Sequence, residues 1–194
     1  MSCSSPYASP DRRRLLLGAL AALALPAGRA AANTAPTEAP SEVAAQLPRA
    51  RRQGRGTFRW WGLPIYDAEL WTEQPLAPER FDQAPFALAL HYARTLAGQQ
   101  IAERSLVEMR RIGPVDDTQA RTWLAALRDA FPDVAEGDRL VGLHRPGEPT
   151  RFFCNGRPTR NVSDPAFAPL FFGIWLSPRS TEPALRQALY GPAR

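Results

Sequence analysis

The chain of 194 residues contains no lysine, and it has only two cysteines and two histidines. Cys3 lies in an N-terminal segment that we expect to be removed, so Cys154 is left alone and an internal disulfide is excluded. His91 and His144 stand apart from each other and from any Cys, Asp or Glu cluster with metal-ligand spacing, so we expect no metal site. Glycine-rich phosphate loops and dinucleotide motifs are also missing, and the sequence predicts no cofactor.

Because lysine is missing, every basic residue is an arginine, and 24 arginines stand against 19 acidic residues. Residues 1–32 hold four of these arginines and one aspartate, which leaves 20 basic and 18 acidic residues in the remainder. Recognition of nucleic acid needs a basic face with stacking aromatic side chains. The near balance of charge therefore predicts no nucleic-acid partner.

The first 32 residues have the three parts of an export signal. Three arginines follow Asp11, the apolar run LLLGALAALALPA comes next, and small residues at Ala30–Ala32 suit a cleavage site. The apolar run has 13 residues, whereas a membrane-spanning helix needs about 20. We expect cleavage of residues 1–32, a periplasmic or secreted protein with no transmembrane segment, and either a twin-arginine or a general secretory route.

Residues 33–53 are rich in alanine, proline and glutamate and then in arginine, which predicts a flexible lead-in. We expect the ordered domain to cover residues 54–194.

The clearest strand is Phe86 to Arg94, where large residues alternate with alanines. The runs of strands and helices predict an α+β fold with an antiparallel sheet. The five tryptophans are expected to pack in the core or against a face of the sheet. Further strands are predicted over residues 56–61, 63–72, 139–144, 150–154 and 157–162, and helices over 98–111, after Asp116, after Ser163 and from Thr181.

The helix predicted over residues 98–111 carries two polar residues on its apolar face. Ile101, Ser105, Glu108 and Met109 share this face by their spacing. A carboxylate on a packed face is costly unless it is paired. This helix is therefore either the wall of a polar pocket or a core helix with two unfavourable residues.

Four stretches resemble the chalcone isomerase-like superfamily, and in particular its exported bacterial branch. They are GRGTFRWWGLPIYDAELW, FPDVAEGDRLVGLH, RFFCNG and SDPAFAPLFFGIWL, followed by a final helix. Together they cover about residues 54–191. The resemblance implies an open-faced β-sandwich: a large antiparallel sheet with a layer of helices on one face and a ligand cleft between them.

The plant enzymes of this superfamily close a chalcone to a flavanone, using an arginine and several hydroxyl groups. They carry a run similar to LAGQQ just before their active-site helix. The resemblance then implies that Ile101 stands at the position of the catalytic tyrosine and Glu108 at that of an asparagine. The catalytic threonine falls near Trp61, and a later hydroxyl falls within Phe172 to Ile174. The isomerase hydroxyls are therefore absent.

The resemblance also implies an anchoring arginine, which is Arg59 in the GxGxxR register, with Arg55 as the alternative. Some relatives bind fatty acids through an arginine and a tyrosine, and Tyr66 or Tyr92 would supply the hydroxyl here. The implied ligand-binding set is Arg59, Tyr66, Tyr92, Ile101, Ser105 and Glu108.

Three hypotheses follow for the function. The first is an exported protein that binds a small, elongated apolar ligand, fatty-acid-like or aromatic, in the cleft. The second is an isomerase of unknown substrate that uses Arg59 with Glu108 as acid or base. The third is an envelope protein-interaction module. For Glu108, the alternatives are an ion pair with Arg59 in the cleft and a helix rotated toward solvent or Arg104.

Overall fold

The structure, a computed structural model, describes residues 38–191 of the chain. Six strands form one antiparallel sheet in chain order, so that each strand pairs with the next. This arrangement confirms the predicted α+β class and the open-faced sandwich. The strands are β1 (Arg51–Trp60), β2 (Leu63–Thr72), β3 (Phe86–Tyr92), β4 (Arg139–His144), β5 (Thr150–Cys154) and β6 (Arg157–Val162).

The described residues include five α-helices: α1 (Ser41–Gln46), α2 (Gly98–Ile112), α3 (Asp117–Ala130), α4 (Phe167–Leu176) and α5 (Pro183–Tyr190). The sequence predicted α2 to α5. Helix α3 begins with a capping box, in which the Asp116 carboxylate accepts hydrogen bonds from the backbone N–H groups of Thr118 and Gln119. Within residues 38–191, none of the helices has the length and apolar character that crossing a membrane requires.

The two faces of the sheet are covered unequally. Helices α2 to α5 pack on one face, where they meet the large side chains of β3. On the other face, α1 packs through Val43 and Leu47 against Trp71 and the alanines of β3, Ala87 and Ala89. The large side chains of β3 therefore face a thick layer of helices, and its alanines face a single short helix.

Two glycines of β1 allow α5 to lie directly on this strand. A Cβ atom at Gly54 would stand 2.2 Å from the carbonyl oxygen of Leu189, and one at Gly56 would stand 2.7 Å from Cδ1 of Leu185. Any larger residue would push the helix away. The first strand and the last helix of the fold are thus packed together.

Order begins earlier than the predicted lead-in over residues 33–53 allows, because α1 forms within it and β1 already starts at Arg51. The buried carboxylate of Glu42 pairs with Arg139 at 2.9 Å, and Val43 is fully buried. These long-range contacts stabilise a helix too short to be stable alone. The predicted export signal and residues 33–37 lie outside the described residues.

We define the hairpin tip as Trp60 to Leu63, the turn between β1 and β2. Trp61 and Gly62 have φ values of 52° and 79°, as a two-residue type I′ turn requires. The left-handed region costs about 1–2 kcal/mol for a residue with a side chain. Trp61 is 89% exposed, so the expectation that every tryptophan packs in the core or against a face of the sheet is wrong there, whereas Trp71 and Trp123 are buried.

His144, at the end of β4, is buried between aromatic rings. Its ring lies 5.2 Å from that of Phe86 and 5.9 Å from that of Phe172. Nε2 is 2.7 Å from the carbonyl oxygen of Asp82, so Nε2–H donates and Nδ1 is the unprotonated nitrogen of a neutral ring. Nδ1 is buried without a hydrogen-bond partner among the described residues, and burial lowers the pKa of His144.

We predict that acid destabilises the fold through His144. Below the ordinary pKa of 6.5, the unfolded chain binds a proton that the folded chain resists, so the stabilisation is complete above this pH and is lost as the pH falls. Urea unfolding between about pH 7.5 and about pH 5.5 should show a declining free energy of unfolding. His144→Gln keeps an N–H donor but cannot titrate, so it should flatten the decline; equal slopes would contradict the prediction.

Candidate functional site

A cavity of about 280 Å³ lies between the helix-covered face of the sheet and helices α2 and α4. This volume is close to the lower limit of ligand pockets, about 300–1,000 Å³. Its apolar lining residues are Phe58, Ile65, Leu88, Leu90, Leu96, Ile101, Phe131, Leu140, Val141, Phe152, Phe171, Phe172, Ile174 and Trp175.

One wall of the cavity is a cluster of phenylalanine rings. Phe171 meets Phe152 and Phe172 edge to face, with ring centroids 5.1 Å apart in both pairs. Gly142 of β4 makes room for this wall, since a Cβ atom there would stand 2.9 Å from the ring of Phe172. The aromatic residues of α4 thus rest on the middle of the sheet.

Glu108 of α2 lines the cavity and is only 6% exposed. Its Oε1 atom accepts from Arg104 Nη2 at 2.6 Å and from Arg111 Nη1 at 3.0 Å. The hydroxyl of Thr181 donates to Oε2 at 3.3 Å. Two half-exposed arginines and one hydroxyl therefore compensate the buried carboxylate. Glu108 pairs with Arg104, which the second sequence interpretation named, but it faces the cavity and not solvent.

The charged groups that line the cavity are Arg104, Glu108 and Glu182. Arg111 adds a second positive charge behind Glu108. Two positive and two negative charges are therefore gathered around this side of the cavity. An uncharged ligand preserves this balance, whereas a carboxylate disturbs it.

Tyr66 and Tyr92 place two phenol groups in the cavity lining. The indole N–H of Trp175 donates to the hydroxyl oxygen of Tyr66 at 3.0 Å, and the two phenol rings meet edge to face at 5.8 Å. Burial raises the pKa of both hydroxyls well above the ordinary value. Both therefore stay protonated at neutral pH and act as hydrogen-bond groups, not as bases.

Ile101 and Ser105 also lie in the cavity wall, as the helical spacing predicted. The hydroxyl of Ser105 donates to the carbonyl oxygen of Ile101 at 2.8 Å. This bond within the helix uses the proton of the hydroxyl. The position implied for a catalytic tyrosine thus presents an alkyl side chain to the cavity.

The structure does not place Arg59 at the cavity, where the resemblance had implied an anchoring arginine. Phe58 faces the cavity, and the alternation of the strand turns Arg59 to the opposite face. There Arg59 is exposed and donates to the carbonyl oxygen of Gly62 at 3.2 Å. Arg55 lies on the same outer face, where it pairs with Asp67 at 2.6 Å.

The same geometry does not support an isomerase that combines Arg59 with Glu108, because the two side chains do not share this cavity. The arginine of the cavity is Arg104. The sequence contained its signal, since Arg104 and Glu108 are spaced i, i+4 on one helix. Thr181 and Glu182 carried no such signal, because only the tertiary fold brings the start of α5 to the cavity.

Comparisons with known proteins identify the family and the fold of the chain. A family model described as chalcone isomerase-like matches residues 37–191. An uncharacterized protein of Haemophilus influenzae is 26% identical over 141 residues, which is 73% of this chain and 68% of the Haemophilus protein. In structure, the chain is similar to an Arabidopsis thaliana fatty-acid binding protein, with a TM-score of 0.60 over 80% of this chain and 90% of that protein. At 10% sequence identity, the last similarity shows a shared fold.

Proposed function

The chain belongs to the chalcone isomerase-like family, and on this premise we propose that it binds a small, elongated, largely apolar ligand. The observation that carries the proposal is the cavity of about 280 Å³, whose wall is apolar except on the side of Arg104, Glu108 and Glu182. Burial of apolar ligand surface supplies the affinity there, and the few polar groups orient the ligand.

Two further observations favour binding over catalysis. The resemblance to the family enzymes implies that Ile101 stands at the position of their tyrosine, and the protonated hydroxyl of Tyr66 already accepts a hydrogen bond from Trp175. The structurally similar Arabidopsis protein is named for binding fatty acids. A fatty-acyl or aromatic body is the type of ligand that suits this cavity.

The charged residues at the cavity limit which polar end group a ligand can carry. Glu108 already forms an ion pair with Arg104 at 2.6 Å, and Glu182 adds a second carboxylate to the lining. We propose an uncharged polar end, such as a hydroxyl or carbonyl group, because it avoids repulsion from both carboxylates. A carboxylate end is the second candidate, favoured by the name of the Arabidopsis protein.

We predict that filling the cavity abolishes binding. Ile101→Trp places an indole in the space that the ligand would occupy, so the affinity for decanol should fall by at least about tenfold. Isothermal titration calorimetry measures this affinity. Val107→Trp is the matched control, because Val107 lies on the same helix but is 46% exposed and does not line the cavity. Equal affinities for the two variants would refute the cavity as the binding site.

We predict that a variant with altered charge shows which polar end group the ligand carries. The unmodified protein should bind decanol more tightly than decanoate. Glu108→Gln removes one carboxylate and frees Arg104, so it should raise the affinity for decanoate by about tenfold and leave that for decanol nearly unchanged. If the unmodified protein already prefers decanoate, the uncharged-end proposal is wrong and the carboxylate candidate takes its place.

We further propose that the protein is exported with loss of residues 1–32. The support is the order of basic, apolar and small-residue segments in the sequence. N-terminal sequencing of the protein from a fractionated host should find a periplasmic or secreted chain that begins after Ala32. A cytoplasmic chain that retains residues 1–32 would refute this proposal.

A further inference from the structure

The large apolar side chains that the described residues expose are concentrated at the hairpin tip. Trp60 is 51% exposed, Trp61 is 89% exposed and Leu63 is 51% exposed. Beyond the tip, residues 38–191 expose one other side chain of this class, Val107. Three of these four groups therefore occupy a single turn of four residues.

The backbone makes the choice of Trp61 unusual. Its φ of 52° belongs to the left-handed region, where asparagine, aspartate and glycine are the favoured residues of a type I′ turn. A side chain so exposed gains little from packing within the chain. A bulky aromatic residue held against the local preference, without internal compensation, points to a role outside the folded monomer.

Two exposed arginines lie near the tip. Arg59 precedes it, and Arg94 follows Ala93, whose backbone N–H donates to the carbonyl oxygen of Ile65, two residues after Leu63, at 2.9 Å. Both arginines are exposed, and neither has an ion-pair partner among residues 38–191. The guanidinium of Arg104 lies over the ring of Trp60, 5.5 Å from its centroid.

The tip is continuous with the cavity. Phe58, two residues before Trp60 on the same face of β1, lines the cavity. Arg104 both lines the cavity and contacts Trp60. A surface that engages the tip therefore lies next to the polar side of the cavity.

We propose that the hairpin tip docks on an anionic phospholipid bilayer. Tryptophan side chains favour the membrane–water interface, and arginines beside them attract anionic headgroups. Trp61 enters the interface, while Arg59 and Arg94 meet the phosphates. Docking does not depend on a ligand in the cavity; only an exchange of apolar ligand between bilayer and cavity rests on the proposed function.

The test is co-sedimentation of the purified protein with vesicles of phosphatidylglycerol mixed with phosphatidylcholine, and with vesicles of phosphatidylcholine alone. Trp61→Asn should weaken binding to the anionic vesicles by at least about tenfold. The same substitution creates an Asn-Gly turn, so the unfolding midpoint should rise and misfolding cannot explain the loss. The unmodified protein and Trp61→Asn differ only at residue 61, so a difference in their binding to vesicles reports on the tip alone.

The charge is tested separately. Arg59→Ala should weaken binding to the anionic vesicles by about fivefold, whereas Arg157→Ala should have no effect, since β6 lies at the opposite edge of the sheet. Equal binding by the unmodified protein and Trp61→Asn, or no binding by either, overturns the proposal. A Trp61-dependent dimer in sedimentation velocity without vesicle binding also overturns it. Calorimetry with decanol reports on the cavity independently in each variant.

Discussion

Burial of β3 between the helix layer and α1 is the interaction on which the other elements depend. The large residues of β3 meet α2 to α5, and its alanines admit α1 on the opposite face. The strand register then fixes which side chains of β2 and β4 face the helices. Leu88 pairs with Leu70 and Gly142, so these positions lie on the helix-covered face as well. The cavity lies on this side because only there is the covering layer thick enough to enclose one.

Periodicity in the sequence predicted most of the fold, because each long element buries one face. The alternation of β3 and the helix start after Asp116 are local signals, and the structure has both. Helix α1 was missed because its stability comes from distant partners such as Arg139. The exposure of Trp61 was missed because composition alone does not reveal which aromatic residues occupy a turn.

The candidate site was predictable where a helix supplied it and not where a strand did. Ile101, Ser105 and Glu108 follow from helical spacing, which fixes the face without knowledge of the neighbours. The arginine of the first strand was assigned by resemblance of a motif. A shift of one residue reverses the direction of a side chain in a strand, so Phe58 faces the cavity while Arg59 does not. Arg104 then serves as the cation of the cavity.

The close packing of α5 on Gly54 and Gly56 also has a consequence for how the chain reaches its native state. Among the elements of residues 38–191, β1 is one of the first to be made, but α5, which covers it, is the last. Until Leu189 has left the ribosome, the helix-facing side of β1 has no cover at its glycines. Closure of this end of the core therefore depends on a contact between residues far apart in the sequence, which is slow to form because of that separation.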